Sequence, residues 1–269
     1  MIKGISIGNY YPGNSIIHKL DPRTKILFGL GFIISLFLIN SYSGLLWAAS
    51  VYGSLIFLAG LPVRYVFRGM KFVFIIVFIT FLIHLLITPG EVIAYFGPIS
   101  ITEEGLERGV IMSSRLFLLI GVSIVLTAAT PPLRLTDGLQ SLLSPLKRLR
   151  VPTSELALMV SIALRFIPTF ISETERIIKA QSSRGVDFYS GSIKERVENL
   201  IPILIPLFIS SFKRADDLAT AMEARCYRGE EGRTKLYPLK YGAADLITFV
   251  ILIVFIGVVV VLGSIPVML

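Results

Sequence analysis

The sequence predicts an all-α membrane protein: about five transmembrane helices, with long amphipathic cytoplasmic helices inserted before the last span. Three observations carry this. Hydrophobic residues make up 54% of the 269 residues and charged residues only 16%, a balance foreign to a water-soluble globule. Several apolar runs approach the roughly 20 residues that a helix needs to cross a bilayer. All of the 26 Lys and Arg residues except Arg108 and Arg115 fall in alternate inter-span segments, and that bias sets orientation.

Met1–Lys25 is polar, with Pro12, Gly13 and Asp21 before any apolar run, so no cleavable signal peptide is expected. Ile26–Asn40 and Leu45–Leu61 form a first pair of spans around the turn-like Ser41-Tyr42-Ser43-Gly44. Phe72–Thr88 and Val110–Thr130 form a second pair, and Ala243–Gly263 is the last span. Positive charge collects in 1–25, 62–71 and 131–242, which places the N-terminus in the cytoplasm and the C-terminus outside. Three regions follow: 1–130 with four spans, 131–242 as the cytoplasmic insertion, and 243–269 with the final span. The net charge of +8 lies beside spans, where it meets anionic headgroups, and does not indicate a nucleic-acid partner.

The insertion is apolar at helical spacing. Its first stretch starts after Pro152 at Thr153-Ser154-Glu155, runs an apolar face through Met159, Ile162, Phe166 and Phe170, and is expected to kink at Pro168. Gly185 is a natural left-handed stop. The second stretch opens on the capping-box pattern Ser192-Ile193-Lys194-Glu195. Pro202 and Pro206 interrupt it, so a bent helix or two helices are expected. Periodicity alone leaves open whether these helices lie on the membrane, pack on the bundle or reach a partner.

Both stretches close on an arginine among small residues, Ser183-Arg184-Gly185 and Ala224-Arg225-Cys226. In each, an Ala stands four residues before the Arg (Ala180, Ala221) and an acid nine before it (Glu175, Asp216). Small neighbours let a backbone approach a partner closely, and the guanidinium offers a fork of donors to carboxylates or carbonyls. The plainer role is to complement a helix C-terminal dipole. Catalytic and nucleotide signatures are missing from the sequence: it has no GxxxxGK[ST], HExxH or GxSxG. One cysteine and two histidines give no disulfide framework and no metal cluster. His84 is expected to hydrogen-bond a neighbouring helix, and Arg115 to reach for the interface.

Leu20-Asp21-Pro22-Arg23-Thr24-Lys25 before the first span resembles the N-terminal signature of the transmembrane T component of energy-coupling factor transporters, the EcfT/CbiQ family. The two arginine ends resemble that family's paired Ala-Arg-Gly motifs, with Ser183 replacing the first Ala and Cys226 the second Gly. The resemblance covers essentially the whole chain. It implies an importer of vitamins or transition-metal ions, in which two ABC-type ATPases bind ATP and Mg and a separate S component binds the solute. This chain would then be a non-catalytic coupling subunit without a cofactor of its own. The family's ATPase-docking role falls on Arg184 and Arg225, and kinks near Pro168, Pro202 and Pro206 would redirect motion. Cys226 takes a positive φ less cheaply than Gly, so the second helix is expected to end differently from the first. The alternative is the permease subunit of a conventional ABC importer; two docking ends in one chain argue against it. An intramembrane enzyme or a secondary transporter would need convergent polar or acidic residues inside the spans.

Overall fold

The computed structural model describes residues 10–96, 99–149, 151–188, 192–229 and 238–263. Its elements in chain order are α1 (Ile16–Lys19), α2 (Pro22–Leu38), α3 (Tyr42–Ala59), α4 (Val63–Ile87), the strands β1 (Val92–Phe96) and β2 (Ile99–Thr102), α5 (Glu103–Ala128), α6 (Pro132–Leu143), α7 (Thr153–Ser183), α8 (Ile193–Glu198), α9 (Ile201–Ala224) and α10 (Ala243–Gly263). A 3-10 turn at Ser144–Leu149 precedes α7. Short polar side chains decide several of the starts. Ser15, Asp21, Ser41, Thr102 and Ser192 each accept a hydrogen bond from a nearby amide of the helix they open, a donor that no helical carbonyl reaches.

The apolar runs mark the middles of the helices better than their ends. α2 starts at Pro22 rather than Ile26, and α4 takes in Arg64, Arg68 and Lys71 before its apolar run. A helix continues past the bilayer edge into charged sequence, because its backbone bonds do not depend on the side chains being apolar. The antiparallel β1–β2 hairpin is a feature that the apolar-run reading passes over, although Val92-Ile93-Ala94-Tyr95-Phe96 is rich in strand-forming residues.

The chain forms two compact units, one of 8–142 with 239–269 and the other centred on 143–238. In the first, α5 packs on α2, α3 and α4, and α2 links it to α10. In α2 Phe32 is fully buried, and its ring stacks on Phe255 at 4.9 Å. α3 crosses α5 where Gly121 leaves room for Tyr52, whose hydroxyl would stand 2.5 Å from a side-chain carbon at 121. By length and composition α3, α4, α5, α7 and α10 are able to cross a bilayer. α2, at 17 residues, is shorter than the usual span of roughly 20, yet it packs on both α5 and α10, which are able to span. We therefore read α2–α5 and α10 as the five spans. α7 qualifies by length, but Glu173, Glu175, Arg176 and Lys179 fill its second half, and it belongs to the other unit.

Two polar devices make the short α2 workable. At its C-terminal end the Arg115 guanidinium donates to the Ile39 carbonyl and lies 3.4 Å from Asn40 Oδ1. Arg115, expected to reach for the interface, thus caps the end of a neighbouring helix at the buried Ile39. At its N-terminal end Asp21 accepts from the Arg23 amide at 2.9 Å and pairs with the Arg23 guanidinium at 3.1 Å, while its own amide donates to Asp245 Oδ1 at 2.9 Å. Arg23 also lies over the Tyr241 ring at 4.2 Å. Lys25 Nζ donates to the carbonyls of His18 and Ala129. The Asp-Pro-Arg-Thr-Lys signature therefore ties the starts of α2 and α10 to the end of α5. His84 is half-buried and makes no side-chain hydrogen bond among the described residues, so the expected interhelical bond does not form.

Replacing Arg115 with Met should lower the stability of the purified protein in detergent by about 1–3 kcal/mol, the cost of a stranded buried carbonyl. Arg115→Lys should recover part of that loss in the same thermal melt.

Candidate docking site at two helix ends

α7 and α9 end in the same way, bond for bond. In α7 the Val186 amide donates to the Gln181 carbonyl at 3.1 Å and the Gly185 amide to Ser182 at 3.0 Å; in α9 the Tyr227 amide donates to Met222 at 3.0 Å and the Cys226 amide to Glu223 at 2.8 Å. Each is a Schellman closure, in which crossed bonds satisfy the last carbonyls and the next residue turns left-handed. Arg184 and Arg225 occupy the same position of the closure, with φ −91°, ψ 5° and φ −94°, ψ 12°. Gly185 follows at φ 90° and Cys226 at φ 58°.

The expected difference at Cys226 is therefore corrected. Among the described residues Cys226 is the only non-glycine with positive φ, and it preserves the geometry at a backbone cost of about 1–2 kcal/mol. Two crossed hydrogen bonds and the capped carbonyls outweigh that cost. Ser183, Arg184 and Gly185 are exposed, as are Ala224, Arg225 and Cys226. Among the described residues neither guanidinium has an ion-pair partner. Each arginine stands at the negative end of its helix dipole, with its donors free toward solvent.

The two helices run in opposite directions where they pack. Glu173 Oε2 receives Arg214 Nη2 at 2.6 Å and Glu173 Oε1 receives the Ser210 hydroxyl at 2.7 Å. On the other side of this clamp, Ile162, Phe166 and Phe170 share a groove of about 260 Å³ with Leu218, Ala219 and Met222. Residue numbers fall along α7 as they rise along α9, so Arg184 and Arg225 lie at opposite ends of the pair. At about 1.5 Å per residue each tip stands about 16 Å along its helix from the clamp. That spacing suits two sockets rather than one.

The three prolines have different places. α7 runs through Pro168 without interruption. Pro202 lies in the first turn of α9, where a missing N–H removes no helical bond. The second stretch accordingly divides into α8 and α9 at Asn199–Leu200, just ahead of Pro202, and the capping box at Ser192 forms as expected. Pro206 is inside α9 and leaves the Pro202 carbonyl without its usual donor. The Glu173–Ser210–Arg214 clamp was not legible in sequence. Its members are 37 and 41 residues apart, and the only signal is a carboxylate and a guanidinium beside apolar stripes.

The chain matches the family model CbiQ, described as cobalt transport protein, over residues 13–236. It is 52% identical over 255 residues to an "Energy-coupling factor transporter transmembrane protein EcfT" of Acidaminococcus fermentans, covering 94% of each chain. It is 50% identical over 255 residues to the protein of the same description in Ruminiclostridium cellulolyticum, covering 95% of this chain and 96% of that one. A third, from Bacillus subtilis, is 45% identical over 255 residues, with 94% and 96% covered.

Two outcomes follow from this geometry. Cys226→Gly should raise stability by about 1 kcal/mol by removing the left-handed penalty, and Cys226→Val should lower it; thermal melting of both variants checks this. The Ser210 hydroxyl, with Arg214 beside it, holds the Glu173 carboxyl below its ordinary value of 4.5. A lowered carboxyl pKa contributes stability that is present above pH 4.5 and lost as the pH falls through the lowered value. Glu173→Gln should therefore flatten the acid limb of the stability–pH profile below that point.

Proposed function

We infer that this chain, which belongs to the CbiQ family of cobalt transport proteins, is the transmembrane component of an energy-coupling factor transporter, joining two cytoplasmic ABC-type ATPases to a substrate-binding S component. The relatives' descriptions support the transporter assignment and do not favour a conventional ABC permease. The observation that carries the docking assignment is the pair of matched helix ends with exposed arginines, lying on opposite sides of the clamp.

In this reading the chain is multi-pass, with its N-terminus in the cytoplasm and its C-terminus outside. It performs no chemistry; ATP and Mg are held by the partner ATPases. Arg184 and Arg225 each enter a groove on one ATPase, where the guanidinium binds carboxylates or carbonyls and Ser183, Gly185, Ala224 and Cys226 permit close approach. Closure of the ATPase dimer changes the distance between its two grooves. The clamp joining α7 to α9 resists independent movement of the tips, so the pair turns as a lever, with give at Pro168 and Pro206 and at the junction before Pro202. The apolar faces of α7 and α9 pass that movement to the S component, which carries a vitamin or a transition-metal ion.

Arg184→Glu and Arg225→Glu should each weaken retention of the ATPases in pull-downs by about tenfold or more, and the double variant should abolish retention and uptake while the chain remains folded in the membrane. An intact, active complex in the double variant would overturn the assignment.

A further inference from the structure

A cleft of about 590 Å³ lies between α3 and α10, with Phe28, Gly29 and Val122 among the residues of its floor. Its rim residues Ser54, Leu58 and Ile247 are exposed, so it opens to the side that faces the bilayer. Along α10 it extends from Ala244 to Phe255, roughly 16 Å of helix rise. An apolar cleft of this size forfeits dispersion contacts on one side when empty, and the filler that hydrocarbon supplies is an acyl chain.

Lys25 lines the same cleft at the N-terminal end of α2 and is 6% exposed. Its ammonium gives two of three N–H groups to the carbonyls of His18 and Ala129. No carboxylate among the described residues lies within ion-pair distance of it. Asp21 is committed to Arg23, and Asp245 accepts from the amides of Asp21 and Gly242. Arg134 adds a second positive charge in its vicinity, while Asp245 and Asp21 attract the ammonium only from beyond ion-pair distance. Buried charges are ordinarily paired, so this end of the cleft favours an anion. Trp47, near the start of α3, lines the opposite end of the cleft. We propose that the cleft holds an acyl chain of an anionic phospholipid, with the phosphate at the Lys25 end.

Trp47 is the single tryptophan of the chain, so its fluorescence reports on the cleft directly. The full chain is reconstituted in phosphatidylcholine vesicles doped with either brominated-chain phosphatidylglycerol or brominated-chain phosphatidylcholine. The phosphatidylglycerol should quench Trp47 at about fivefold lower mole fraction. Lys25→Arg should keep that preference and Lys25→Met should remove it. Gly29→Leu, whose Cβ would meet only Leu126 at ordinary contact distance and whose longer side chain would enter the floor of the cleft, should weaken quenching by both lipids. Equal quenching of the wild-type chain by the two lipids, or a preference undiminished in Lys25→Met, overturns the proposal; the wild-type comparison decides even if Lys25→Met fails to fold.

Discussion

The antiparallel pairing of α7 and α9 is the constraint on which the candidate docking site depends, because it sets where two arginines stand. Each helix end by itself is a common closure. Held together by the Glu173–Ser210–Arg214 clamp, the two closures become the tips of one bar. A single ion pair at 35% and 24% side-chain exposure is a modest contribution. The apolar residues on either side supply most of the association, and the clamp selects which residues of the two helices meet. A slip of one turn along either helix would move a tip by about 5 Å, which is why a polar contact in the middle of an apolar interface matters beyond its energy.

The membrane unit obeys a different constraint, that every backbone polar group at hydrocarbon depth needs a protein partner. The C-terminal end of α2 presents a carbonyl at the buried Ile39, and the Arg115 guanidinium supplies it with a donor. The Asp-Pro-Arg-Thr-Lys segment handles the opposite end through Asp21, Arg23 and Lys25. It thereby holds together three chain segments that are far apart in sequence. A signature that reads as a family label is, in the fold, the knot that closes the helix bundle.

Much of this was legible in sequence where the cause is local. α10 spans Ala243–Gly263, the same limits as its apolar run, because polar residues precede it. The capping box at Ser192 and the stop at Gly185 follow from residues acting within a turn; α7 starts at Thr153 without a side-chain cap. The early start of α4 was hidden because charged residues end an apolar run without ending a helix. The role of Arg115 depends on Ile39, 76 residues away, and the clamp on contacts across 41; no local pattern encodes either. Cys226 misled for an instructive reason: the intrinsic preference against positive φ is real, but the hydrogen bonds of the closure exceed it. The two ends therefore differ in side chain and not in backbone.

That matched geometry also supplies the most direct test of the central claim, that each tip seats on an ATPase subunit. Cys226 is the only cysteine and is exposed, so a benzophenone maleimide can be attached there; the same backbone accepts a thiol at the other tip in a Cys226→Ser, Gly185→Cys variant. Irradiation of the assembled transporter should cross-link the chain to an ATPase subunit from both positions. Adducts from only one tip, or from neither while the complex stays intact, would contradict the account.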